Sequence, residues 1–154
     1  MGEERVIRLL VVEDNRAYLH LIQRAFRQRQ EQTRWELTIA EDGEQAISIL
    51  FREEKESAAL PDLILLDWNL PKISGSEVLQ RIKSHVQLRK IPVLVFSSSN
   101  ADWDIHEAYG HHANGYITKP DDADSLAAIV EAIERFWVAV IQLPKVARRR
   151  AGPM

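Results

Sequence analysis

A chain of 154 residues with 45% hydrophobic and 28% charged residues has the composition of one ordinary soluble domain with a single core. It contains no cysteine, which excludes disulfides and thiolate chemistry, and no apolar run near the roughly 20 residues that a membrane-spanning helix needs. A net charge of −3 gives no broad attraction to nucleic acid, and the polar start MGEER lacks the apolar stretch of a secretory signal, so a cytoplasmic location is expected.

The run VIRLLVV (Val6 to Val12) predicts a first buried strand, after which Leu19, Ile22, Ala25 and Phe26 fall on one face of a helix. WELTIA (Trp35 to Ala40) alternates enough for an edge strand, and Asp42 with Gln45 makes a capping-box pattern ahead of the helix EQAISILFRE. The third strand lies within PDLILLDWNLP, where Leu63 to Leu66 are aliphatic without alternation, as suits a strand covered on both faces. Ser74 and Glu77 repeat the capping-box pattern before EVLQRIKSHV. IPVLVFS (Ile91 to Ser97) predicts a fourth strand, ADWDIHEAYGHH a short helix and GYIT (Gly115 to Thr118) a fifth strand, and Asp121 to Asp124 open a last long helix. Strand and helix alternate about five times, which calls for a parallel sheet with right-handed crossovers.

Chemistry-bearing residues follow the strands. Glu13 and Asp14 come after the first, Asp67 after the third, Ser97 ends the fourth and Lys119 follows the fifth. Carboxyl ends of strands are where open α/β sheets bind ligands, and in the common order 2-1-3-4-5 the first and third strands are neighbours at the switch point. Glu13, Asp14 and Asp67 then converge. Three carboxylates so close raise a pKa or recruit a cation, and an all-oxygen set with open water positions suits Mg²⁺. Lys119 adds a fixed positive charge, and the whole suits a dianionic phosphoryl group. Singly, Asp14 or Asn15 reads as a helix cap and Asp67 as a turn residue; capping does not explain why carboxylates, a hydroxyl and a lysine end successive strands.

VVEDN, LILLDWNLP with Gly75, PVLVFSS and GYITKP resemble, in order and spacing, the signatures of response-regulator receiver domains. The resemblance implies a flavodoxin-like fold over residues 5–143 and a single-domain response regulator of a two-component phosphorelay. By it, Asp67 matches the phosphoacceptor, Glu13 and Asp14 the acidic pair holding Mg²⁺, and the main-chain carbonyl of Asn69 a further ligand. Ser97 matches the switch hydroxyl, Tyr116 the switch aromatic and Lys119 the invariant lysine, whose bond to Pro120 is expected to be cis. A sensor histidine kinase is the implied donor, so the chain is a phosphoacceptor that loses its own phosphate rather than a turnover enzyme. Asn69 and Ser99, near the site, are expected to tune phosphate lifetime.

Some features depart from the pattern. Glu13 stands where aspartate is commoner, which suggests contact with the metal through water. HHANGYI replaces a small Gly-Ala pair; adjacent His111 and His112 project apart and read as solvated or interface histidines, not metal ligands. Asp121 follows Pro120 where an aromatic is common. In the last helix Leu126, Ile129, Val130, Ile133, Trp137 and Val140 form one apolar stripe, widened by Phe136, Val138 and Ile141. That exceeds what docking on the sheet requires, so the segment either folds back on its own core or forms a homodimer interface. Its ending is similar to the small regulators that partner phytochrome-type kinases. The basic tail at 144–154, with Arg148 to Arg150, is expected to be disordered, and no output domain is expected.

Other classes of function make different demands. A non-phosphorylated scaffold of the same fold would leave the acidic pocket idle. A phosphohydrolase using Asp67 as nucleophile would want a second acid and a cap, where this chain offers Asn69 and short loops. A flavodoxin would need a Ser/Thr/Gly-rich phosphate loop after the first strand, which is absent.

Overall fold

The structure, a computed structural model, describes residues 5–29, 33–55 and 60–140. Five strands, β1 (Arg5–Val12), β2 (Thr33–Ala40), β3 (Leu63–Leu66), β4 (Val93–Ser97) and β5 (Gly115–Thr118), form one parallel sheet in the order β2-β1-β3-β4-β5. Five α-helices alternate with them: α1 (Arg16–Arg27), α2 (Gly43–Lys55), α3 (Gly75–Lys83), α4 (Asp102–Gly110) and α5 (Ala123–Ile133). This is the parallel sheet that the alternation called for, in the flavodoxin-like order that the resemblance implied, with β2 at an edge.

Side chains alternate across the three central strands, and both sets are covered. Leu10, Val12, Ile64, Leu66, Val93 and Val95 pack with α2, α3 and Ala108 of α4. Leu9, Val11, Leu63, Leu65, Leu94 and Phe96 pack with α1 and α5 on the other face. Such strands read as unbroken aliphatic runs because neither face meets water.

The predicted caps form, with adjustments. Asn15 Oδ1 accepts the Tyr18 N–H at 2.9 Å and starts α1, while Asp122 Oδ1 accepts from Ser125 N at 2.7 Å ahead of α5. Asp42 Oδ1 accepts from Gln45 N at 2.8 Å, but the Gln45 side chain reaches one residue further back than a capping box requires, to Glu41 N at 2.9 Å. Ser74 caps α3 through Glu77 N at 3.2 Å, whereas the Glu77 carboxylate pairs forward with Arg81 at 2.8 Å.

The helix end at HHANGYI has a local explanation. His112 adopts φ 74°, its N–H bonds Tyr109 O at 2.9 Å, and Ala113 N bonds Ala108 O at 3.0 Å. This is a Schellman closure of α4 with histidine at the left-handed position that glycine prefers. A Cβ there costs about 1–2 kcal/mol, partly offset by the greater unfolded-state freedom of glycine. His112→Gly is expected to stabilise the domain by about 1 kcal/mol in urea denaturation; a loss of stability would mean that the histidine ring makes a compensating contact.

Two expectations are corrected. The Lys119 to Pro120 bond is trans, as the described residues contain no cis peptide; trans is the lower-energy isomer even before proline. After Ile133 the last helix changes to π winding over Glu134–Val140. An α-helical period carries the buried face from Ile133 to Trp137; the wider π turn carries it to Val138, five residues on. Val138 is accordingly 4% exposed within the core, which removes it from the interface candidates, while Trp137 is half-buried and Phe136 is 51% exposed. Ile141 and the tail at 144–154 lie outside the described residues, as does the expected domain end at 143.

Glu134 anchors this turn. Its Oε1 accepts from Arg29 Nη2 at 2.7 Å and Nε at 2.9 Å, and Trp35 Nε1 donates to Oε2 at 3.4 Å. A largely buried carboxylate held by a two-pronged guanidinium is well satisfied, and it ties the π segment to the ends of α1 and β2.

Candidate functional site

β1, β3, β4 and β5 bring the expected residues to one edge of the sheet. Glu13, Asp14 and Asp67 each place a carboxylate oxygen within 4.8 Å of the others. Glu13 and Asp67 are buried at 2% and 5% exposure and Asp14 is exposed. Lys119 Nζ reaches Glu13 Oε1 at 2.7 Å and Asp67 Oδ2 at 3.3 Å. Sheet pairing continues to the site: Glu13 N donates to Ala40 O and Asp67 N to Val12 O, both at 3.0 Å, so neighbouring backbones hold both acids in place. Glu13 Oε2 also accepts from Asn15 N at 3.1 Å, joining the acid pair to the α1 cap.

Asn69 is exposed at the mouth, and its N–H donates to Asp67 Oδ1 at 3.3 Å. Leu66 pairs with Val95, which puts Ser97 on the adjacent strand one position beyond the level of Asp67. Ser97 is fully buried, and its Oγ accepts from Ser99 N at 3.1 Å. The Ser99 hydroxyl is itself engaged, donating to Asp104 and accepting from Ala101 N. Tyr116 is partly buried against the core, with its OH donated to Ser99 O at 2.8 Å. His111 and His112 join no metal-ligating group among the described residues.

Sequence reasoning missed Tyr18. Its ring lies 4.9 Å from Lys119 Nζ and its OH donates to Pro120 O at 2.9 Å, so it steers the lysine and pins the loop after β5. Burial, with nearby carboxylates adding, pushes its hydroxyl up to about 12, which keeps it a donor. The signal was present: Tyr18 precedes Ile22 by four residues and so shares the inward face of α1.

Burial pushes the Asp67 carboxyl up to about 7, and the Glu13 charge adds to the rise; Lys119 and the Asn69 N–H oppose it. The folded chain therefore holds this proton between about pH 4 and 7, where the unfolded chain has released it. The group's contribution to stability is complete below about pH 4 and is lost as pH rises through about 7. Asp67→Asn does not titrate, so its stability relative to wild type is expected to grow by on the order of 2–4 kcal/mol from pH 4 to pH 8 without divalent cation. Excess Mg²⁺ should narrow the gap. Urea denaturation across pH checks this; a gap independent of pH would contradict it.

The same excess negative charge is what a divalent cation relieves. The donors are all oxygens, Asp14 faces solvent, and Lys119 supplies one positive charge against three carboxylates, so the residues present fit a hard cation that retains several waters.

A family model described as the response regulator receiver domain matches residues 9–131. Among curated proteins, the probable methanogenesis regulatory protein FilR2 of Methanothrix harundinacea is 41% identical over 130 residues, covering 84% of this chain and 83% of that one. Response regulator Rcp1 of Synechocystis sp. is 39% identical over 137 residues, covering 88% and 92%. Among solved structures, the phosphorylated cyanobacterial phytochrome response regulator RcpA superposes with a TM-score of 0.82 at 43% identity, covering 90% of this chain and 98% of that one. The Mn²⁺-bound form of Rcp1 gives 0.79 at 37% identity, with 90% and 99% covered. No helix among the described residues is long and apolar enough to cross a membrane. The sheet order, the acidic edge with its lysine, and a family match over most of the length agree: this chain belongs to the response regulator receiver domains.

Proposed function

We propose that Asp67 accepts a phosphoryl group from the phosphohistidine of a sensor histidine kinase, with Mg²⁺ held by Glu13, Asp14, Asp67 and the main-chain carbonyl of Asn69. The observation that carries this reading is the Asp67 carboxylate at the strand edge, 3.3 Å from Lys119 Nζ and within the three-carboxylate cluster. An Asp67 oxygen attacks phosphorus as the bond to the imidazole nitrogen breaks, and the imidazole leaves with that electron pair and takes up a proton. Lys119 meets the charge on the phosphoryl oxygens, and the buried walls of the site strengthen that attraction. Bound Mg²⁺ supplies further charge neutralisation at those oxygens. Water attack on the acyl phosphate restores Asp67 in a self-dephosphorylation step. In this reading the Asn69 side chain orients that water, and Ser99 acts on lifetime through the loop it holds. The Mn²⁺-bound state of Rcp1 supports a divalent site, and Mg²⁺ suits the same hard oxygen donors.

The similarity to RcpA, a phytochrome response regulator, favours a phytochrome-type kinase as donor and a cytoplasmic setting. A labelled phytochrome-type kinase should pass its phosphoryl group to this chain and not to Asp67→Asn. No transfer, with Asp67 still labelled by acetyl phosphate, would assign the chain to another class of kinase.

Phe136 and Trp137, ring to ring at 5.3 Å, line an apolar groove of about 280 Å³ with Ile117, Ile129, Ala132 and Ile133. We assign this face to a homodimer contact. Phe136→Glu should lower the mass seen by sedimentation from dimer to monomer; an unchanged dimer would place the contact elsewhere.

A further inference from the structure

Ser99 uses every polar group it has. Its N–H donates to Ser97 Oγ at 3.1 Å and its carbonyl accepts from Tyr116 OH at 2.8 Å. Its hydroxyl donates to Asp104 Oδ2 at 2.5 Å and accepts from Ala101 N at 3.2 Å. One loop residue thus joins the end of β4, the ring on β5 and the first turn of α4.

α4 depends on this tie. Its N-cap, Ala101, has no side chain that can cap, Ala108 is its one buried residue, and a further side-chain link, Ser76 Oγ to Glu107 at 3.3 Å, is exposed. Asp104, three residues into the helix, reaches back past the N-cap to Ser99, a capping box displaced by two residues. Trp103, 72% exposed, rides on the same turn.

The Tyr116 ring is packed against the core with its OH seated on Ser99. Ser97 Oγ, by accepting from Ser99 N, keeps its own proton for an acceptor elsewhere. An anionic phosphoryl oxygen is the stronger acceptor, since charge-assisted bonds are roughly twice as strong as neutral ones. Drawing Ser97 toward it lengthens the bond to Ser99 N and shifts the whole junction.

We propose that Ser99 is a positioning residue that carries phosphorylation of Asp67 from the Ser97 hydroxyl to the first turn of α4; this rests on Asp67 being the phosphoacceptor. The test is amide NMR of the full chain with Mg²⁺, before and after beryllofluoride, for wild type, Ser99→Ala, Ser99→Thr and Asp104→Asn, with uptake scored by fluorine NMR. In wild type, the amides of Asp102 to Asp104 and the Trp103 indole are expected to move on uptake. In Ser99→Ala and Asp104→Asn they should start displaced and move less than half as far, and Ser99→Thr should restore the wild-type response. Wild-type movement in both Ser99→Ala and Asp104→Asn overturns the inference, as does uptake in wild type with no movement at α4. Absence of uptake in wild type overturns the phosphoacceptor reading itself.

Discussion

Lys119→Met is expected to slow phosphorylation of Asp67 by acetyl phosphate about 100-fold, the loss found when a preorganised charge is removed from a reacting centre. Methionine keeps the chain length against the Tyr18 ring, so packing is largely retained. What goes is the ammonium 2.7 Å from Glu13 and 3.3 Å from Asp67. Two buried carboxylates then face each other with no cation between them, and the Asp67 pKa rises further above its value in the intact site. Metal-free Lys119→Met should therefore be less stable than wild type at pH 8 and recover as pH falls and Asp67 takes up a proton. Timed intact-mass measurements give the rate, and urea curves at both pH values give the stability. A rate within a few-fold of wild type would assign the charge stabilisation to another group.

Gly75→Ala tests how the fold holds the site. A Cβ at Gly75 would lie 2.7 Å from Trp68 Cα and 2.8 Å from Trp68 O, and would clash with the Asp67 carbonyl oxygen. The Gly75 N–H also donates to Trp68 O at 3.0 Å, so α3 begins in direct backbone contact with the loop that carries the phosphoacceptor. All of these neighbours are backbone, so the helix or the loop must shift. Overpacking of this kind costs about 1–3 kcal/mol. Because the loop continues to Asn69, divalent-cation affinity should fall together with stability. Denaturation and Mn²⁺ titration read the two effects. Lost stability with unchanged affinity would show that α3 yields while the loop stays in place.

The site was legible in the sequence because its residues end strands whose covered faces leave plain aliphatic runs. Leu63 to Leu66 announce β3, and the carboxylate after them stands out for that reason. Other features depended on contacts that sequence order hides. The π turn was not legible because Trp137 and Val138 are both apolar, so the pattern fits a step of four from Ile133 as well as a step of five; the Glu134 pairing with Arg29 and Trp35 accompanies the five. Tyr18 is apolar along its ring and polar at its tip, and its role appears only when β5 brings Lys119 against it. Ser99 read as a residue near the site, yet its hydroxyl is committed to α4, a partnership set by the course of the loop.

Intact mass after incubation with acetyl phosphate and Mg²⁺, alongside Asp67→Asn and a metal-free sample, tests the central claim most directly. One added phosphoryl group, present only with Mg²⁺ and only when residue 67 is aspartate, is the predicted result. Folded protein with no adduct and no beryllofluoride uptake, or an adduct that persists in Asp67→Asn, would contradict it.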